Sequence, residues 1–371
     1  MKTPSVRDSA GMKHIGRLFV FAALSATVVC ADSSITRERT VTKLAEGVYM
    51  IRHPDAPDGF PQGNTTVVIG DKEVFVVDAC YLPSSAREDI AQISQWTSKP
   101  VRYLLNTHWH YDHTMGNGVY AAAFPLIKII AHVETRKQME GYNPGWFERF
   151  PTRAATFQQY LDSGKDGNGR VLTQNDRKEY EDAIAGVAPV QAEFAKLVDK
   201  MPDITFDSGL TIDIGNREVQ IKHLGRGNTA GDTIVYLPKE KILIAGDLLD
   251  HPVPYLGGGY PSELVTTLQR MAQMDFGTIV PGHGEILHDK AHLNNVTEFV
   301  GAVVSQVSKE VHRLGNNPKK IDEVVEAVQK AIDLEAWRRK FAGDNTDDRD
   351  FFDSFSLPGV IKAAFAETWP R

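Results

Sequence analysis

The chain is poor in cysteine, in basic charge and in long apolar runs. Cys30 and Cys80 are the only cysteines in 371 residues. A chain of this length buries a sizeable core without covalent staples. Lys and Arg number 41 against 48 Asp and Glu, a formal net charge of −7. An acidic chain lacks the basic surface that phosphate neutralisation needs, which argues against a nucleic-acid partner. The apolar stretch at residues 18–29 holds twelve residues, whereas a bilayer-spanning helix needs about 20. No stable membrane span is therefore expected in the mature chain. There is no low-complexity tract and no short-period repeat.

That apolar stretch follows Lys13 and Arg17 and runs into Val29-Cys30-Ala31. Basic, then apolar, then small residues is the order of a cleavable signal peptide, here residues 1–31. The expected location is the periplasm or the medium. A lipoprotein anchored through Cys30 is the weaker reading, because a valine precedes the cysteine where a small residue is usual. Met12 offers an alternative start to Met1. Cleavage removes four basic side chains and one acid, taking the net charge from −7 to −10. Only Cys80 then remains, so packing and not a disulfide must supply stability in an oxidising compartment.

With 42% hydrophobic and 24% charged residues, the rest reads as an ordinary soluble globular chain. Short apolar runs separated by Gly-Asp and Pro-rich turns mark β-structure across residues 41–80. Residues 53–63 (HPDAPDGFPQG) form a loop whose length predicts a flap. Helical spacing follows at 83–97, then buried strands at 101–105 and 127–131. Residues 133–205 turn polar and charged and read as a helical insertion. Strand patterns return at 210–224, 233–237, 241–245 and 278–280, with an amphipathic helix at 261–274 between the last two. Beyond residue 288 the pattern is helical to the end. Alternating strands and helices in two similar halves give an α/β class with mixed sheets.

Each half ends in residues suited to metal. Residues 107–113, THWHYDH, pack His108, His110, Asp112 and His113 just past an apolar strand. A quarter of the twelve histidines falls in six residues, which a chance surface cluster rarely does. Imidazole suits zinc and late first-row metals, and mixed N/O ligands suit a catalytic site with an open position. His108 and His110, two apart in extended chain, point to the same side. The run Ile244-Ala245-Gly246-Asp247 places a carboxylate after a second strand, and Val280-Pro281-Gly282-His283-Gly284 a histidine after a third. A lone Gly-Asp is most often a turn; the three motifs in this order carry the weight together.

That order resembles the metallo-β-lactamase fold superfamily over about residues 41–290. The resemblance implies an αββα sandwich with the site at its edge, a helical insertion at about 133–205 and a helical C-terminal extension at 291–371. It implies that His108 and His110 hold a first metal, that Asp112, His113 and His283 hold a second, and that Asp247 bridges them. Asp78, at the end of Val76-Val77-Asp78, would support the histidine loop from behind. The expected cofactor is one or two Zn2+ per chain, with another divalent metal left open. One departure stands out: in Gly225-Arg226-Gly227-Asn228-Thr229-Ala230-Gly231-Asp232, Asn228 occupies the family's usual histidine position. An amide oxygen is a poor zinc ligand beside imidazole, so the first site is expected to be looser than the second. His223 and His251 are candidate replacements, and His132 a candidate support or structural residue.

The implied chemistry is attack by a metal-bound hydroxide on an amide, lactone or thioester bond, a β-lactam included, and with less support on a sulfate or phosphate centre. Asp112 would orient the water or take its proton, and Asn228 could stabilise the oxyanion. Cys80, without a basic neighbour in sequence, reads as a buried structural thiol. Tyr255 or Tyr260 would donate hydrogen bonds to a small-molecule substrate, and Trp146 and Phe147 would cap the pocket. The competing reading is a non-catalytic or metal-binding descendant with an incomplete first site. Neither the substrate nor the oligomeric state is legible.

Overall fold

The fold is known from a computed structural model that describes residues 39–142, 146–167 and 169–369, with no side-chain detail for residues 142–153. The signal peptide expected at 1–31, including Cys30 and Met12, and the side chains of Trp146 and Phe147 lie outside the described residues. The elements, in chain order, are β1 (Thr40–Ala45), β2 (Val48–Arg52), β3 (Thr65–Ile69), β4 (Val74–Val77), α1 (Pro83–Trp96), β5 (Val101–Leu105), α2 (Tyr111–Thr114), α3 (Asn117–Ala123) and β6 (Lys128–His132). There follow α4 (Val133–Tyr142), α5 (Trp146–Ser163), α6 (Gln174–Phe194), β7 (Ile204–Phe206), β8 (Gly209–Asp213), β9 (Glu218–Lys222), β10 (Ile234–Leu237), β11 (Ile242–Gly246), α7 (Pro261–Ala272) and β12 (Thr278–Pro281). The chain ends in α8 (Ala291–Arg313), α9 (Ile321–Ala331), α10 (Leu334–Ala342), α11 (Thr346–Phe351), one π-turn and α12 (Leu357–Glu367).

Two sheets form the middle of the molecule. Strands β1 to β7 lie in sequence order in one, and β12-β11-β10-β9-β8 make the other. Both β3 and β4 are buried on nearly every residue, as strands covered on both faces must be. The inner faces meet through Val68, Phe75, Val77 and Leu105 of the first sheet and Ile221, Val235, Ile244 and Val280 of the second. Helices α1 and α3 cover the outer face of the first sheet with Ala86, Ile93 and Tyr120. Helix α7, with Leu264, Leu268 and Met271, covers the second together with Leu293, Val296 and Phe299 of α8. The layers are therefore αββα, with the helical insertion and the helical C-terminal segment in place.

Pairing is antiparallel from β1 to β4 and parallel from β4 to β7. In the second sheet only β11 and β12 are parallel. Parallel neighbours end on the same side, so the loops after β4, β5, β11 and β12 converge at one rim. Crevices outside the carboxyl ends of such strands are where α/β sheets bind ligands.

One expectation fails. Residues 53–63 are not a free flap: His53, Ala56, Asp58, Phe60 and Gln62 are buried. The Ala56 N–H donates to the Phe60 carbonyl and the Gly59 N–H to that of Ala56, both at 2.8 Å. Phe60 stacks on Tyr81 at 4.6 Å, and Tyr81 packs edge-on against Phe194 of α6. The insertion supplies the wall that the sequence of the loop does not reveal.

Candidate metal centre

The rim formed by the four parallel-strand ends receives all six residues expected to bind metal. Asp247 lies at the centre. Its Oδ2 is 3.1 Å from His108 Nε2 and 3.8 Å from His110 Nδ1. Its Oδ1 is 3.0 Å from His113 Nε2 and 3.7 Å from His283 Nε2. Asp112 Oδ2 closes the far side, 3.0 Å from His283 Nε2 and 3.6 Å from His113 Nε2. His108, Asp112, His113 and Asp247 are buried, while the His110 side chain keeps 28% exposure at the mouth. Gly282 makes room for this packing: a Cβ there would stand 2.0 Å from Asp247 Oδ1.

Asp78 sits behind the cluster. Its Oδ1 accepts from the Thr107 N–H at 2.8 Å, and its Oδ2 accepts from the Thr107 hydroxyl at 2.8 Å. The same Oδ2 lies 2.9 Å from His113 Nδ1, which leaves His113 Nε2 facing the centre. Asp78 holds a positive φ of 60°, a conformation that Asp adopts more readily than most residues. Asn228 reaches the opposite side, its amide nitrogen 3.3 Å from Asp247 Oδ2 and 3.4 Å from His110 Nδ1. A histidine at this position would point at the first pair of ligands; the amide donates a hydrogen bond to the bridging carboxylate instead.

The other histidines are occupied elsewhere. His223 stacks on His132 with ring centroids 4.2 Å apart, and its Nδ1 bonds the Asp232 carbonyl. His132 Nε2 bonds the Asp207 carbonyl at 2.7 Å. His251 packs edge-on against His292 at 5.0 Å and lies outside the ligand groups. None of the three replaces the missing ligand. Cys80 is buried, and burial pushes its thiol up, with Asp89 adding to the effect. Tyr260 stacks under Arg226 at 4.1 Å, before α7.

Asp250 was not singled out in the sequence. It is buried, and one of its oxygens lies within 4.8 Å of both the Asp247 carboxylate and a His283 ring nitrogen. The only signal was a second acid in Gly246-Asp247-Leu248-Leu249-Asp250.

The electrostatics follow from this crowding. Burial pushes the Asp112 carboxyl up, but the charges of His113 and His283 outweigh it and hold it at about 2. Burial pushes His283 down, yet Asp247, Asp112 and Asp250 bring it to about 9. His108 is lowered by its burial, with Asp247 opposing. Burial, with Asp112, Asp250 and Asp247 nearby, lifts the Tyr255 phenol to about 12, so it stays a proton donor at neutral pH.

The donor set fits a divalent metal. His108 Nε2 and Asp247 Oδ1 are buried and make no well-directed hydrogen bond, although each has a site partner within about 3 Å. Close approach without hydrogen-bond geometry is what ligands aimed at a shared ion show, and clustered imidazole and carboxylate donors suit such an ion.

The chain is similar in sequence or fold to several known proteins. The chain is 23% identical over 264 residues to a linear primary-alkylsulfatase of Pseudomonas sp., covering 69% of this chain and 48% of that protein. It is 25% identical over 87 residues to a metallo-beta-lactamase type 2 of Elizabethkingia meningoseptica, covering 22% of this chain and 35% of the relative. The matches thus span half or less of these relatives' own length. Among solved structures, the metallo-beta-lactamase from Pontibacter korlensis superposes with a TM-score of 0.51 at 18% identity, covering 71% of this chain and 99% of that one. The DIM-1 metallo-beta-lactamase superposes with a TM-score of 0.50, also at 18% identity, covering 71% and 97%. The sequence model of the metallo-beta-lactamase superfamily matches residues 58–283, from the packed loop to the last ligand of the rim. That stretch carries both sheets' ligand loops, and the chain belongs to the metallo-β-lactamase superfamily.

Proposed function

We propose that the protein is an exported, metal-dependent hydrolase of small molecules, acting on an amide, lactone or thioester bond. The observation that carries this reading is the convergence of His108, Asp112, His113 and His283 on the Asp247 carboxylate at one buried rim. Zinc bound there would supply Lewis-acid polarisation and a water whose pKa falls from 15.7 to about 7. His108, His110 and Asp247 would hold one ion, and Asp112, His113, His283 and Asp247 the other. Asp112, an anion at neutral pH, orients a water and accepts its proton at Oδ2. The protonated Tyr255 phenol donates to negative charge developing on the substrate. Asp78 fixes the tautomer of His113. Export is supported by the basic, apolar and small-residue order of residues 1–31. A second reading, hydrolysis of an alkyl sulfate, is favoured by the alkylsulfatase match across 69% of the chain.

The test is a panel of β-lactam, lactone, thioester and alkyl sulfate substrates given to chelator-stripped and zinc-restored protein. Turnover of an acyl substrate is expected to vanish on stripping, return with zinc, and drop at least about 100-fold in Asp112→Asn. Asn228→His is expected to raise occupancy of the first site. Turnover of the alkyl sulfate alone selects the second reading. Protein that takes up no metal and hydrolyses nothing sinks both.

A further inference from the structure

Three carboxylates, and not two, meet at the inner side of the rim. Asp250 is 6% exposed, and its Oδ1 has no hydrogen-bond partner. One of its oxygens lies within 4.8 Å of the Asp247 carboxylate and of a His283 nitrogen. A buried polar atom without a partner is destabilising, more so if charged, and a second buried carboxylate beside it adds repulsion. The chain nevertheless fixes Asp250 in place from two sides. His292, on α8, bonds the Asp250 carbonyl through Nε2 at 2.7 Å. The next residue, His251, donates its N–H to the His283 carbonyl at 3.2 Å. A cation between Asp250, Asp247 and His283 gives the buried Asp250 carboxylate a partner and removes the repulsion together.

We infer that Asp250 is a further ligand of the second metal, which makes that site carboxylate-rich and suited to a hard, higher-coordinate divalent cation such as Mn2+. The inference rests on the two-metal reading of the centre. Asp112, Asp247 and Asp250 give the second site three carboxylates beside His113 and His283. The first site has His108, His110 and the shared Asp247, with an amide where a third imidazole is usual. Carboxylate oxygen suits manganese and imidazole suits zinc, so the two positions differ in the metal they prefer. Asn228 leaves the first site one imidazole short, and Asp250 adds carboxylate charge at the second.

The experiment titrates Mn2+ into the stripped full chain and reads free Mn2+ by electron paramagnetic resonance, for the native protein, Asp250→Asn and Asp250→Ala. Native protein is expected to bind one Mn2+ tightly, and both variants to lose at least about tenfold in affinity, while zinc uptake at the His108 site is unchanged. Circular dichroism melts check that the variants fold. Should either fail to fold, a crystal structure of the native chain soaked in Mn2+ decides the matter: an Asp250 oxygen at coordination distance from the ion supports the inference, and one beyond it overturns it. Equal Mn2+ affinity in native and variant protein also overturns it. Because binding is read without turnover, a protein that binds Mn2+ through Asp250 yet hydrolyses nothing would fail the hydrolase reading alone.

Discussion

At the residue scale, His283 and Asp112 form a charge pair that a metal must break. His283 is raised from 6.5 to about 9 and Asp112 lowered from 3.8 to about 2. For the raised histidine, the stabilisation is complete below pH 6.5 and is lost as pH climbs through about 9. For the lowered carboxylate, it is complete above 3.8 and is lost as pH falls through about 2. The metal-free fold therefore gains most from this pair between those two unfolded values. A metal ligand must be deprotonated, so between pH 6.5 and about 9 uptake at His283 expels a proton. For this one proton, metal affinity is expected to rise by up to about tenfold per pH unit, levelling off as pH approaches about 9. Competition with a chelator of known protonation, run from pH 6 to 8, measures the slope; a flat profile would rule the coupling out. This level was the most legible in the sequence, because His108, Asp112, His113, Asp247 and His283 each follow a strand run at a recognisable spacing. Asp250 escaped because nothing in Gly246-Asp247-Leu248-Leu249-Asp250 says which way its last residue turns; the carbonyl bond from His292, over 40 positions away in the chain, decides that.

At the element scale, the insertion braces the loop beside the site. Gly186 of α6 lies against residues 57 and 58, where a Cβ would stand 1.9 Å from the Pro57 carbonyl oxygen. Replacing a helix-interior glycine by alanine gains up to about 1 kcal/mol in propensity. Here the clash is with backbone, which cannot step aside as a flexible side chain does, and overpacking costs about 1–3 kcal/mol. Gly186→Ala is thus expected to lower the urea midpoint. Gly141→Ala, in α4 with nothing within 4 Å of the added carbon, should leave it equal or higher. The Gly63 N–H donates to the Asp112 carbonyl at 3.0 Å, so a displaced loop also pulls on a ligand backbone, and KM should rise with Gly186→Ala alone. A lower midpoint in both variants, or in neither, would discount the bracing contact. Strand and helix positions were readable from apolar runs and helical spacing. The packed state of residues 53–63 was not, since Pro- and Gly-rich composition describes a turn and its burial depends on Phe194, far along the chain.

At the scale of the whole molecule, the sequence changes character near residue 290 while the packing does not. Ile234, Leu243, Ala245 and Ile279 of the second sheet share one core with Leu293, Val296 and Phe299 of α8 and with Phe352, Val360 and Ile361 beyond it. Cutting after residue 290 bares that face and removes His292, which holds the Asp250 carbonyl. A contiguous apolar face of this kind is an aggregation hazard in a soluble protein. Residues 39–290 alone are expected to be insoluble or to melt without cooperativity, whereas the full chain melts in a single transition. Adding residues 291–371 as a separate polypeptide should restore solubility if the face is the cause. A truncated chain that melts as sharply as the full one and binds metal as tightly would show the helical segment to be an appendage, and would separate the stability of the sandwich from the layer that α8 builds over it.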